Sequence, residues 1–486
     1  MNERLGALRQ SQVGMATQPV PLRAVVRGVK AWSARAYGVP LPRRLARPGG
    51  ASKPHLTELP TEAGTRVAVA RLNAEASVFD RLTLGRRLAA AQLEQDPKEI
   101  LLVPLGLSEE AAVHAAEAAI AALLAGAHAM PSFKTDQTAP KRLSTIRTFS
   151  LPRRFDFART LAEAEGNNLA RYLTALPPNQ LTPRQYLSWV SALTKPNGWR
   201  LRFYDINTLR RKKAGAFLAV AQGSAEPEGG IVHLRYTPPG RSRRPPVALV
   251  GKGICYDTGG LNLKPARHML GMHGDMAGSA VALGTLLALS RLEVDFPVDC
   301  WLALAQNQIG PSAYRQNDVV TAANGTSIEV MHTDAEGRMV LADTLVLAGR
   351  NKPGLILDYA TLTGSCVDAL GTTYSGAFCN REEFVPQIIA AGRASGERVW
   401  PFPTDADYDE RLESDIADVK QCILESEADH ILAARFLGRF VEPSTPWVHL
   451  DLAAANHKGG LAHIPTEVTG FGVRFTLNLL LDRKIL

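Results

Sequence analysis

Among the 486 residues there are only five cysteines, Cys255, Cys300, Cys366, Cys379 and Cys422, and no two of them form a CxxC pair. An odd number without close spacing excludes a disulfide framework and a zinc knuckle, and fits a reducing cytoplasm. No charged n-region leads into a sustained apolar run, which argues against secretion. The longest stretch of small apolar residues, Ala111 to Met130, is broken by His114, Glu117 and His128. It is too polar and alanine-rich to span a bilayer, so no membrane partner is expected. The absence of HExxH removes the histidine-type zinc peptidases, and Gly251-Lys252-Gly253 lacks the earlier glycine and following Ser/Thr of a phosphate-binding loop.

Acidic residues are scarce at the start. From Met1 to Lys53, Glu3 alone stands against Arg4, Arg9, Arg23, Arg27, Lys30, Arg35, Arg43, Arg44, Arg47 and Lys53. Such a segment suits a loosely ordered basic extension, an early start codon with Met15 as the initiator, or an organellar transit peptide in place of a cytoplasmic location. The whole chain carries a net charge of +8. That excess permits a nucleic-acid partner, whose binding would be steeply salt-dependent. Without an aromatic-interleaved basic motif or a reading helix, DNA binding is not expected.

The length exceeds what one hydrophobic core organises, so two domains are expected. Ile100–Leu105 reads as a strand, and Ser108, Glu109 and Glu110 open a helix that Gly126 can end. These place a small α/β domain over 54–155. Pro140, Pro152 and Arg153-Arg154 mark a connecting region, and 156–173 reads as a linker helix ahead of Pro177-Pro178. From 174 to 486 strands alternate with helices: Val247–Val250, helix Ala277–Leu289, Val298–Ala305, helix Met339–Ala348, then Leu355–Leu357. Continuous apolar strands separated by helices imply an α/β domain with a mostly parallel central sheet covered on both faces.

Polar residues gather where those strands end, the usual ligand position on an open α/β sheet. One cluster holds Lys252, Asp257, Gly259 and Gly260, followed by Lys264 and by Asp275 at the next helix. The second is Thr333-Asp334-Ala335-Glu336-Gly337-Arg338. Several carboxylates of this kind form an oxygen-rich site for two divalent ions, which together clamp a water against a carbonyl. Asp275 alone could simply cap its helix. His268 and His273 stand close enough to Asp275 to offer a mixed His/Asp site as an alternative.

These two clusters together resemble the leucyl aminopeptidase family, the hexameric dizinc cytosol aminopeptidases. Thr333–Arg338 is highly specific to that family. Similar segments are Glu165–Arg171, Leu181-Thr182-Pro183, Ala216–Ser224, Ala360–Gly364 and Thr469–Arg474. The likeness covers about 156–486; before that the family carries a variable, macro-like α/β domain. The resemblance implies a two-metal aminopeptidase acting on peptides with a free N-terminus and assembled as a homohexamer. Asp257 and Glu336 would bridge the ions, with Lys252 and Asp275 completing the tighter site and Asp334 the exchangeable one. Zinc is the expected metal, with manganese, magnesium or cobalt at the exchangeable site. Lys264 would act as electrophile on the carbonyl, Arg338 would hold a bicarbonate as general base, and a metal-bound hydroxide would attack.

The sequence also departs from the family. His332 replaces the usual Asn, Lys420–Glu427 replaces a glycine-rich loop, and Ala453-Ala454-Ala455-Asn456 stands where some relatives place a methionine in the specificity pocket. The rival reading is a family member that assembles without catalysis, but such loss would normally replace ligands, and none is replaced.

Overall fold

The structure, a computed structural model, describes residues 54–58, 66–73, 75–135, 141–149, 151–152, 156–224, 228–240, 242, 244–483 and 485. The basic extension expected over 1–53 lies outside these residues, as do Pro140 and Arg153-Arg154 of the expected connecting region. The described chain forms two compact units. One contains the described residues up to Ala164 with Arg393–Gly396 and His457–Thr469; the other contains Glu165–Gly392, Glu397–Asn456 and Gly470–Leu486.

In the first unit β1 (His55–Glu58) pairs antiparallel with β2 (Arg66–Val69). Then follow α1 (Val78–Leu93), β3 (Glu99–Leu102), α2 (Glu109–Ala127) and β4 (Thr145–Thr148), which lies parallel to β3. The strand expected to reach Leu105 stops at Leu102, because Pro104 has no N–H to continue a ladder. Ser108 caps α2 as expected, its hydroxyl accepting from the Ala111 N–H at 3.3 Å. By length and composition α2 could cross a membrane, yet 56% of its apolar window is buried within the protein. Ala116, Ile120 and Leu123 pack with Ile100 and Ile146, so α2 is a core helix. Helix α3 (Ala158–Thr174) carries the chain across the division between the units.

The second unit is built on an eight-stranded sheet. Its strands are β5 (Arg200–Asp205), β6 (Gly230–Tyr236), β7 (Val247–Asp257), β8 (Val298–Asn307), β9 (Leu355–Ala360), β10 (Ser375–Cys379), β11 (Val399–Pro401) and β12 (Trp447–Asp451). They lie in the order β11-β10-β12-β9-β7-β8-β6-β5. The central run β12-β9-β7-β8 is parallel. β6 and β5 extend one side antiparallel, and β10 joins β12 antiparallel on the other. The sheet is therefore mostly parallel at its centre, where both faces are covered.

Helix α4 (Ala277–Arg291) is buried from Ala277 to Leu289, so it shows no polar stripe. It presses closely on the sheet: a Cβ at Gly278 would stand 2.1 Å from the Tyr359 carbonyl oxygen. Gly278→Ala should therefore destabilise the chain by about 1–3 kcal/mol, read by urea or thermal unfolding. An unchanged midpoint would mean that this contact yields without cost.

Candidate metal centre at the strand ends

β7 was expected to end at Val250, but it runs on to Asp257 because β8 stays paired with it as far as Asn307, whereas β9 pairs only up to Gly251. Gly251-Lys252-Gly253 thus lies inside a strand. Side chains alternate along a strand, so Lys252 and Asp257, five residues apart, belong on opposite faces. A bulge between Ile254 and Asp257 sets three steps of β7 against two of β8. The extra residue turns Asp257 to the face of Lys252.

Beyond β7, Gly259 adopts φ +87°, and a Cβ there would meet the Asn262 carbonyl oxygen at 2.4 Å. Only glycine makes this turn easily. The turn brings Lys264 back, its N–H donating to the Thr258 carbonyl at 2.9 Å. The second cluster enters α5 (Glu336–Gly349), which starts earlier than the expected Met339. Glu336 in the first turn suits the helix dipole. A Cβ at Gly337 would stand 2.7 Å from Lys252 Nζ, so glycine leaves room for the lysine.

Lys252 Nζ lies 2.8 Å from Asp275 Oδ2 and 2.9 Å from Glu336 Oε1, and donates to the Thr361 carbonyl at 2.9 Å. Lys264 Nζ lies 2.9 Å from Asp257 Oδ2 and 2.5 Å from Asp334 Oδ1. Asn307, at the end of β8, donates to Asp257 Oδ1 at 2.9 Å and to the Thr333 carbonyl at 2.9 Å. The Thr361 hydroxyl donates to Asp275 at 2.7 Å. The side chain of Lys252 is only 4% exposed, whereas that of Lys264 is 15% exposed, so Lys264 is the more open of the two.

Two lysines face four carboxylates, an excess of two negative charges. Oxygens of Asp257, Asp334 and Glu336 lie within 4.8 Å of one another. Carboxylates that close repel by about 3 kcal/mol per pair at an effective dielectric near 20. Burial, with Asp257 adjoining, pushes Glu336 up to about 8. Burial likewise pushes Asp275 up to about 6, against the pull of Lys252, and raises Asp334. Burial alone would lower both lysines, but the surrounding carboxylates overcome it and hold them above the ordinary lysine value. A buried, oxygen-rich cluster with surplus negative charge fits divalent cations. The three-carboxylate group contains no histidine among the described residues. His268 instead accepts from Arg267 Nε at 3.0 Å.

Arg338 sits beyond this cluster, fully buried. Its Nη2 donates to Asp429 Oδ1 at 2.8 Å and its Nη1 to the Gln421 carbonyl at 3.2 Å. Nε is buried with no hydrogen-bond partner. A guanidinium carries five N–H donors, so these two bonds leave donors for the bicarbonate expected on Arg338.

Sequence reasoning missed Asn307, Gln421 and Asp429. Gln421 is fully buried; its Oε1 accepts from the Met331 and His332 N–H groups at 3.2 Å, and its Nε2 donates to the Ala335 carbonyl at 3.0 Å. It thereby braces the loop bearing Asp334 and Glu336. The one available signal was position: Asn307 is polar at the end of an apolar strand, and Gln421 lies in the segment that departs from the family. His332 Nδ1 accepts from the Asp334 N–H at 3.2 Å, and Asn456 is exposed.

Residues 168–477 match the model of the cytosol aminopeptidase family, catalytic domain. A probable cytosol aminopeptidase of Rhodopseudomonas palustris (strain BisA53) is 40% identical over 331 residues, spanning 68% of this chain and 64% of that protein. One from Wolbachia pipientis wMel is 41% identical over 67% of this chain and 65% of its own length. The chain thus matches somewhat under two thirds of these relatives. Among solved structures, a tomato leucine aminopeptidase mutant superposes with a TM-score of 0.79 at 29% identity, covering 89% of this chain and 84% of that one. The bottromycin maturation enzyme BotP in complex with Mn gives 0.81 at 31% identity, covering 94% and 97%.

Proposed function

Because the chain belongs to the cytosol aminopeptidase family, we propose that it is a metal-dependent aminopeptidase that removes residues from the free N-terminus of peptides. The observation that carries this reading is the buried cluster of Asp257, Asp334 and Glu336 with its surplus negative charge. Lys252, Asp257, Asp275, Asp334 and Glu336 would hold two divalent ions, zinc or, at the exchangeable position, manganese, magnesium or cobalt. When bound, the ions supply Lewis-acid activation of a water and of a carbonyl.

The chain's own groups do the rest. To act as a ligand Lys252 would have to be neutral, giving up its proton and the ion pairs it makes with Asp275 and Glu336. Lys264 points its ammonium at Asp257 and Asp334 from the more open side, where it can donate to the oxyanion that forms from the scissile carbonyl. Asn307 and Gln421 fix the carboxylates so that little reorganisation is needed. The names of the relatives support a cytosolic location, and the family resemblance supports a homohexamer. A panel of amino-acid amides and dipeptides assayed with added Zn, Mn, Mg or Co tests the activity; no hydrolysis with any metal contradicts it.

Specificity follows from the segment after β12. Its residues Ala453–Ala455 are buried and small, and Asn456 is exposed, so large apolar lining is scarce there. A well-placed methylene contributes only about 1–3 kcal/mol. N-terminal leucine should therefore be favoured over alanine, glycine or lysine by no more than roughly tenfold in kcat/KM, or about 1.4 kcal/mol. A preference near a hundredfold would show that His332 and Asn456 do not shape the pocket.

A further inference from the structure

Lys264 stands on the turn after β7, and Asp334 on a loop far along the chain. One pair of residues joins the two. The Asn262 N–H donates to Thr333 Oγ1 at 2.8 Å, and the Thr333 N–H donates to Asn262 Oδ1 at 2.8 Å, across 71 residues. The Thr333 hydroxyl donates in turn to the Gly259 carbonyl at 2.6 Å. Asn262 Nδ2 reaches Gln316 Oε1 at 3.2 Å, and Gln316 Nε2 donates to the Met331 carbonyl at 2.8 Å. On the loop side Thr333 is fully buried, and its carbonyl accepts from Asn307 at 2.9 Å and from the Tyr314 hydroxyl at 2.7 Å. The loop is thus fixed on its own account, and the turn is the part that needs holding. Packing does not hold it, because Leu261 and Leu263 on either side of Asn262 are 48% and 54% exposed. A Lys264 that turns from Asp257 and Asp334 to an oxyanion gives up the two ion pairs that fix its ammonium. Its position then depends on the turn, two residues away from the Asn262–Thr333 clasp.

We propose that Asn262 is a positioning residue of the hydrolysis: through its reciprocal bonds with Thr333 it sets where Lys264 stands relative to the carboxylate loop. This rests on the aminopeptidase reading above and on Lys264 as the donor to the oxyanion. Asn262 acts through Lys264, so its worth is tied to that ammonium. A displacement of about 1 Å in a group that must meet a reacting atom can cost roughly 100-fold in rate.

The test is a double-mutant cycle on full-length, metal-loaded protein with leucine amide as substrate. Asn262→Ala should lower kcat about 10–100-fold, with KM within about threefold and metal content near that of the parent. Asn262→Asp keeps the acceptor for the Thr333 N–H and should stay within about fivefold of wild type. In a Lys264→Ala background, Asn262→Ala should cost no more than about twofold further, because the group it positions is already gone. Amide hydrogen exchange of the metal-free protein over residues 331–335 reads the clasp without turnover, and Asn262→Ala should speed exchange there at least about tenfold. The proposal is overturned by an Asn262→Ala variant as active as an active wild type, by a full further loss in the Lys264→Ala background, by metal loss from Asn262→Ala, or by unchanged exchange. A wild type that hydrolyses no substrate overturns the aminopeptidase reading and this role with it, whereas the other outcomes overturn the role of Asn262 alone.

Discussion

Asp257→Ala and Glu336→Ala should each abolish hydrolysis and lower the bound metal below that of the parent protein. Each carboxylate sits where several charges meet. Asp257 accepts from the Gly259 N–H and from Asn307, both at 2.9 Å, and faces Lys264. Glu336 faces Lys252 at 2.9 Å and also receives Asn307 at 3.4 Å. On the proposed assignment each of these two carboxylates would serve both ions, so its removal should cost more metal than Asp275→Ala, which would affect one. Metal per chain by inductively coupled plasma mass spectrometry, alongside amide hydrolysis, reads both effects. Full metal content with near-normal turnover in either variant would remove the bridging role.

Lys264→Ala should lower kcat about 100–1000-fold while metal content stays near that of the parent, the signature of an interaction made only late in the reaction. The contrast with Lys252 supports this division. Lys252 is enclosed between Asp275, Glu336 and the Thr361 carbonyl, whereas Lys264 is the more exposed cation. Metal loss from Lys264→Ala would instead make it a ligand or a structural brace.

Much of this site was legible because its parts lie in two contiguous stretches at strand ends. Lys252, Asp257, Lys264 and Asp275 surround one strand and the turn after it; Asp334, Glu336 and Arg338 open one helix. What stayed hidden depended on long-range pairing. The five-residue spacing of Lys252 and Asp257 reads as opposite faces, and only the bulge against β8 reconciles them. Gln421 reaches Ala335 across 86 residues, and Asp429 reaches Arg338 across 91. Neither belongs to a motif, and the segment that supplies Gln421 and leads into Asp429 reads in the sequence only as a departure. The ends of β7 and α5 were misplaced for a local reason: Gly251-Lys252-Gly253 and Gly337 have turn composition, and tertiary packing overrode it. Grouping of Arg393–Gly396 and His457–Thr469 with the first unit likewise has no sequence signature, since each is a short return from the larger unit.

The central claim is that this chain trims peptides from a free N-terminus with the help of bound metal. One measurement tests it most directly. The purified protein is stripped with a chelator, reloaded with zinc or manganese, and incubated with a peptide in free and N-acetylated forms, with products followed by mass spectrometry. The account predicts stepwise loss of N-terminal residues from the free peptide only, and only after metal is restored. Cleavage of the acetylated peptide, internal cleavage of either form, or undiminished turnover in the stripped protein would contradict it.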